Sequence, residues 1–266
     1  MKTIHTEAIV LHASDYGESD RIVSFYSLEA GLVRGMAKGA RRSRKRFANS
    51  LEPGSRVRLS YKERRGLAWV ENCKLLDAHE NLRSDWFRWG HACLLCEAVL
   101  RVSPEGVSQP ELFVLLRGGL ERLCEDRDPW NVTALFLLRL LALNGHVPTL
   151  ERCCQCGRTV QQYQAWTWNL DQGQLVCAEH GVRETAGVSL DRGSILLMRM
   201  AVAAAPEKLW RMRFRKDAAQ ALVRALASWV QHQSGRALKS LKILNSLGTK
   251  SLIQEERIHR GMGESF

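Results

Sequence analysis

Along the first 78 residues apolar and polar positions alternate in short runs. The run "SRVRLSYK" is the cleanest, with Val57, Leu59 and Tyr61 on one side and Arg56, Arg58, Ser60 and Lys62 on the other. That period of two predicts a half-buried strand with a charged outer face. The runs "TIHTEAIVLH", "DRIVSFYSL", "GLVRGMAKG" and "LAWVENCKLL" predict four more strands, punctuated by Gly17, Gly31, Gly54 and Gly66. After Asp77 the period changes to that of helices, expected near 84–102, 110–126 and 129–144 with Pro104, Pro110, Pro129 and Pro148 at their boundaries. Trp86, Leu94, Leu95, Val99, Leu116, Leu120 and Leu123 fall on the expected core faces. Residues 150–183 break the helical pattern. Helices resume near 191–204, 216–232 and 237–247, and the polar stretch from Gln254 is expected to fray.

Five short strands followed by helices predict an α+β chain. The expected organisation is an N-terminal OB-fold β-barrel over 1–78 and an all-helical domain over 79–149 and 184–253. A knuckle is inserted at 150–183, and a flexible tail follows at 254–266.

The knuckle is suggested by cysteine spacing. "ERCCQCGRTV" places Cys153 and Cys156 in a C-x2-C pair, and "LVCAEHGV" places Cys177 and His180 in a C-x2-H pair. This spacing is typical of structural zinc. Each pair ends in ligand–Gly (Gly157 and Gly181), which permits the positive φ of a tight knuckle. The intervening "YQAWTWNLDQGQLV" reads as a hairpin around Asp171, Gln172 and Gly173, which would bring the pairs together. Four protein ligands leave no open position for water, so the expected zinc is structural rather than catalytic. Cys154 is out of register with Cys156 and is expected to be a neighbouring thiol. Cys93 and Cys96 form a second C-x2-C inside a helical apolar pattern and read as core residues.

Charge adds a second signal. The chain of 266 residues carries 39 Lys and Arg against 28 Asp and Glu, a formal charge of +11. That excess favours a polyanionic partner. It is concentrated in "RGMAKGARRSRKRF", whose cations are Arg34, Lys38, Arg41, Arg42, Arg44, Lys45 and Arg46. On an OB barrel, such a loop would track phosphates while neighbouring aromatics stack bases; Phe47, Tyr61 and Trp69 are the nearby rings, Tyr61 being a core position by alternation. A second basic segment, Lys208 to Lys216, alternates charges with Trp210, Met212 and Phe214 and reads equally as binding surface or as core. Asp15, Glu18 and Asp20 read as a polar turn between the first two strands.

No G-x4-G-K-[ST], H-E-x-x-H or G-x-S-x-G motif is present, so no enzyme signature emerges. The best apolar runs, Val132–Leu143 and Ile195–Ala205, are interrupted by Arg139 and Arg199 and fall short of the roughly 18 residues a membrane span needs. The N-terminus lacks the apolar core of a signal peptide, and a cytoplasmic protein without a membrane partner is expected.

Taken together, "AIVLHASDYGESDRIVSFYS", "GLVRGMAKGAR", "SLEPG", the inserted C-x2-C-G … C-x2-[CH] knuckle and the late "LKSLKILNSL" resemble the RecO family of bacterial DNA repair and recombination mediators. The resemblance spans nearly the whole chain and is strongest over residues 4–78. It implies a non-catalytic protein that binds single- and double-stranded DNA and anneals complementary strands. It also implies two partners, RecR and the acidic, apolar C-terminal tail of single-stranded DNA-binding protein, and assistance in loading RecA in gap repair within the nucleoid. Arg117, Arg139 and the Lys208–Lys216 segment are candidates for the tail-binding groove. His180 stands where the family more commonly has a fourth cysteine, and some members lack the ligands altogether. Two other readings remain at this point. One is a zinc-stabilised adaptor whose basic loop binds an acidic protein; the other is a nuclease or other DNA-modifying enzyme.

Overall fold

The computed structural model describes residues 2–147, 149–170, 172–181 and 187–246. Pro148, Asp171 and the expected tail at 254–266 lie outside them.

Five strands close into a barrel: β1 (Thr3–Tyr16), β2 (Asp20–Ser27), β3 (Gly31–Ala37), β4 (Arg56–Lys62) and β5 (Ala68–Asp77), in the order β1-β2-β3-β5-β4. This is the OB arrangement expected from the alternation. Closure is made by a short parallel pairing of β3 with β5, Gly35 opposite Ala68 and Met36 opposite Trp69. Gly35 is required there. A Cβ at this position would lie 2.5 Å from the Val70 side chain on β5.

The barrel interior is filled by Ala8, Val10, Val23, Phe25, Val33, Val57, Leu59, Tyr61, Val70 and Cys73. β1 is buried on both faces. Ala8 and Val10 point inward, whereas Ile9 and Leu11 join Tyr26 and Leu32 in the core of the helical region. The barrel is thus fused to the helices through its outer wall. The loop after α2 completes the joint: Leu32 bridges to Glu105, and Gly31, at φ +64°, leaves no room for a Cβ beside the Val107 carbonyl.

The helical region comprises α1 (Glu80–Arg83), α2 (Trp86–Val102), α3 (Pro110–Glu125), α4 (Pro129–Leu143), α5 (Ala178–Gly181), α6 (Arg192–Ala203), α7 (Pro206–Leu209) and α8 (Lys216–Ser234), with residues 239–246 also helical. α4 is the central rod, packed against α2, α3, α6 and α8 and buried almost all round. Its boundaries follow from local chemistry. Asp128 accepts from the Asn131 N–H at 3.2 Å and Pro129 occupies the first turn. Asp85 and Asp191 cap α2 and α6 in the same way.

Leu94, Leu95, Val99, Leu116, Leu120 and Leu123 are buried as their spacing predicts. Trp86 is not: it opens α2 with 74% of its surface exposed, and Phe87 and Trp89 pack on the core instead. A further difference concerns the inserted segment. β6 (Ala165–Asn169) and β7 (Gln174–Cys177) form the expected hairpin, and β6 also pairs with an unexpected strand, β8 (Gly187–Asp191). β8 alternates Val188 and Leu190 with exposed positions, but it is only five residues long and runs directly into the cap of α6.

Candidate metal centre and nucleic-acid interface

The hairpin brings the two ligand pairs together. Cys153, Cys156, Cys177 and His180 offer one ligand atom each, all within 4.8 Å of one another. Cys156 Sγ lies 3.9 Å from Cys177 Sγ, and His180 Nδ1 lies 3.2 Å from Cys177 Sγ and 3.8 Å from Cys153 Sγ. Sulfurs bound tetrahedrally at about 2.3 Å from one zinc ion stand about 3.8 Å apart, so the donor set and its spacing fit such an ion. The backbone is shaped for this. Gly157 has φ +71° and donates its N–H to the Cys153 carbonyl at 2.9 Å, turning the chain between the first two ligands. Gly181 serves differently from the sequence reading: its φ is ordinary, and a Cβ there would sit 2.7 Å from Thr167 Oγ1.

Burial alone would raise the Cys153 thiol. The N–H groups of Cys177, Cys156 and Gln155 outweigh it and bring the thiol down to about 6. The thiolate form that a metal requires is therefore favoured at that position. Arg158 and Tyr163 from the first half bind Glu179 from the second, at 2.7 and 2.6 Å, and tie the halves from outside. Cys154 is exposed and lies outside the group of four. Cys96 is buried in α2 and Cys93 half-buried; burial pushes Cys93 up to about 11 and Cys96 higher still.

The cations of the basic stretch occupy the barrel surface beside β3. Arg34 and Lys38 are exposed and Met36 half-exposed, so the outward alternation of β3 continues into the loop. That loop is folded. A 3-10 turn spans Ala40–Arg42, and Asp20 on β2 accepts from the Gly39 N–H at 2.8 Å. This bond is the main cause of the lowered pKa of Asp20. Arg41 reaches Asp15 at 3.5 Å and the Glu18 carbonyl at 3.2 Å. Asp15 and Asp20, at the ends of β1 and β2, and the Glu18 carbonyl between them are therefore struts for the basic loop. Arg46 donates to the Lys38 carbonyl at 2.8 Å, and its own carbonyl accepts from the Cys73 N–H on β5 at 2.9 Å.

The seven cations are not equivalent. Arg34 is paired with Glu105 at 2.8 Å, Arg41 with Asp15, and Arg46 holds the loop. Lys38, Arg42, Arg44 and Lys45 are exposed and form no ion pair among the described residues. Phe47, a candidate stacking ring from sequence, is 4% exposed and fills the barrel interior beside Leu51. Tyr61 is likewise inside the barrel. Trp69 alone of the three rings is partly exposed, with Lys38 Nζ 5.0 Å and the Arg64 guanidinium 4.8 Å from its ring centre.

A family model described as Recombination protein O N terminal matches residues 1–79, and one described as Recombination protein O C terminal matches residues 83–242. The chain belongs to the RecO family. It is similar to the DNA repair protein RecO of Syntrophobacter fumaroxidans, 46% identical over 92% of this chain and 98% of that protein. The DNA repair protein RecO of Syntrophotalea carbinolica is 33% identical over 93% of this chain and 96% of its own. Among the described residues of this RecO-family chain no helix is long and apolar enough to cross a membrane.

At the other candidate surfaces of this family member apolar side chains pack inward, while Lys208, Arg211, Arg215 and Lys216 stay exposed. In the Lys208–Lys216 segment, Phe214 is buried and Trp210 lies over α3, where a Cβ on Gly118 would come within 3.1 Å of its Nε1. Asn131 on α4 clamps the segment, donating to the Met212 carbonyl at 3.0 Å and accepting from the Phe214 N–H at 2.9 Å. Arg213 pairs with Asp126 at 2.7 Å. Arg139 donates to the Val202 carbonyl at the end of α6, and Arg117 lies 3.7 Å from Glu121.

Proposed function

We propose that this chain is a non-catalytic DNA-binding recombination mediator of DNA repair in the cytoplasm, binding single- and double-stranded DNA and annealing complementary strands. Its family membership supports a repair role. The observation that carries the DNA-binding reading is the folded cationic loop: Lys38, Arg42, Arg44 and Lys45 are exposed and without an ion pair among the described residues, on a loop ordered by Asp20, Arg41 and Arg46.

The mechanism is electrostatic. Two strands approach against phosphate repulsion, and Lys38, Arg42, Arg44 and Lys45 neutralise phosphates and release their counterions. Phosphate contacts position a strand without reading its bases, so sequence preference is weak. Arg34 and Arg41 contribute to the extent that phosphates compete with Glu105 and Asp15. Four to seven contacts on a single strand give a log–log salt slope of about −3 to −5.

Cys153, Cys156, Cys177 and His180 are proposed as ligands of one structural zinc ion, which would supply folding free energy to the insertion and no chemistry to DNA. RecR, the tail of single-stranded DNA-binding protein and, indirectly, RecA are the partners this reading carries over from the family resemblance. The test is annealing of two complementary labelled oligonucleotides with Mg2+ present. Acceleration without cleavage is expected, and loss of acceleration in a Lys38, Arg42, Arg44, Lys45→Ala variant. Cleaved product, or annealing no faster than without protein, would overturn the reading.

A further inference from the structure

The barrel carries a small apolar row that the phosphate-binding reading does not use. Strand register sets Ile22 on β2 opposite Met36 on β3, and Met36 opposite Trp69 on β5. All three are partly exposed on the outer wall, in line across three strands. At a strand spacing of about 4.8 Å the row is about 10 Å wide. Cations border it. Arg34 and Lys38 stand two residues to either side of Met36 on the same face, and Arg64 reaches over Trp69 from the β4–β5 loop. Beyond Arg34 the surface continues into a groove of mixed charge, lined by Arg64 and Arg65 as well as by Glu63 and Glu105.

We infer that the Ile22–Met36–Trp69 row is a base-stacking platform for single-stranded nucleic acid, with Trp69 its principal ring and Lys38, Arg64 and Arg34 taking the flanking phosphates. The inference rests on the DNA-binding reading above and adds strand selectivity to it. An apolar strip bordered by Lys38, Arg64 and the Glu105-paired Arg34 matches the chemistry of an unpaired strand, which presents flat apolar bases between phosphates. A duplex hides those faces in its own stack. The cations now over Trp69 do not block the site. A cation–π contact at an exposed ring is weaker than stacking of a base on an aromatic side chain, and a displaced Lys38 or Arg64 gains a phosphate.

The direct test uses the unaltered protein. Binding of a fluorescein-labelled thymidine 20-mer is compared with that of an abasic deoxyribose-phosphate chain of equal length, across a salt series. The expected result is weaker binding of the abasic chain, by about five- to a hundredfold, with the same salt slope. Trp69→Ala should lose a similar factor on the thymidine oligonucleotide and less than about twofold on a duplex. Trp69→Phe, which keeps a ring, should retain most of the affinity, and thermal melts check that both variants fold. Equal affinity for abasic and base-bearing chains would overturn the platform and leave the phosphate-binding loop standing. Equal losses on single strand and duplex in Trp69→Ala would overturn it too. Failure of the wild type to bind either chain would remove the DNA-binding reading itself.

Discussion

Phe47 sits inside the most basic stretch of the chain, yet its ring is buried in the barrel, with the Arg46 guanidinium 5.0 Å from its centre. Its replacement by Leu separates a plug from a stacking ring. Truncating a fully packed Phe to Ala costs about 3–5 kcal/mol, enough to risk the barrel, whereas a near-volume-conserving swap to Leu costs about 1.5 kcal/mol or less. For a unit the size of the barrel, each kcal/mol moves the melting temperature by about 4–8 °C, so Phe47→Leu should lower it by up to about 12 °C. The charges are untouched, and Arg46 keeps its bonds to Lys38 and Cys73. Single-strand affinity should therefore stay within about twofold. A stacking ring would give the reverse, a loss of about tenfold in affinity with stability unchanged. That outcome, read by a thermal melt beside fluorescence anisotropy, would refute the assignment of Phe47 to the barrel core.

Metal removal should reach beyond the knuckle, because Cys153, Trp166, Trp168 and Cys177 belong to the same buried cluster as α4 and α8. With zinc present at about a thousand times its dissociation constant, linkage contributes about 4 kcal/mol, and chelation should lower the melting temperature by about 8–16 °C while releasing one zinc per chain. A metal-free purified protein with an unchanged melt would contradict this. Gly173, at φ +66°, has the Trp229 ring 2.6 Å from the position a Cβ would take, so Gly173→Ala should cost about 2–4 kcal/mol by urea titration. His91 is fully buried, donates or accepts at Thr133 Oγ1, and burial lowers its pKa to about 3. The unfolded chain takes up its proton near the ordinary histidine value of about 6.5. Stability is therefore complete above that pH and falls below it, by about 2 kcal/mol at pH 5. Urea midpoints at pH 7 and 5 should show this loss in wild type and not in His91→Gln.

The sequence disclosed what local rules govern. β4 alternates because only one of its faces is buried, and the ligand pairs Cys153–Cys156 and Cys177–His180 are recognisable because each grip is made within four residues. What stayed hidden depends on distant partners. β1 is covered on both faces because helices pack on its outer wall, which no window around Ile9 and Leu11 reveals. Phe47 is drawn inward by the pairing of its loop with Cys73 on β5. β8 exists because β6 has a free edge to offer it. Trp86 carries the right spacing for a core face but stands at the first turn of α2, before the helix reaches its neighbours. The standing of each cation was equally illegible, since Asp15 and Glu105 reach their partners across strands and between the barrel and the helices.

In the function proposed above, the surface around Lys38 and the 41–46 loop binds phosphates. That binding is tested most directly by anisotropy of a labelled single-stranded oligonucleotide across a salt series. The proteins compared are the wild type and the Lys38, Arg42, Arg44, Lys45→Ala variant, which leaves the structural Arg41 and Arg46 in place. The expected wild-type log–log slope is about −3 to −5, with a variant slope shallower by about 3. Superimposable curves for the two proteins would contradict phosphate binding by this surface.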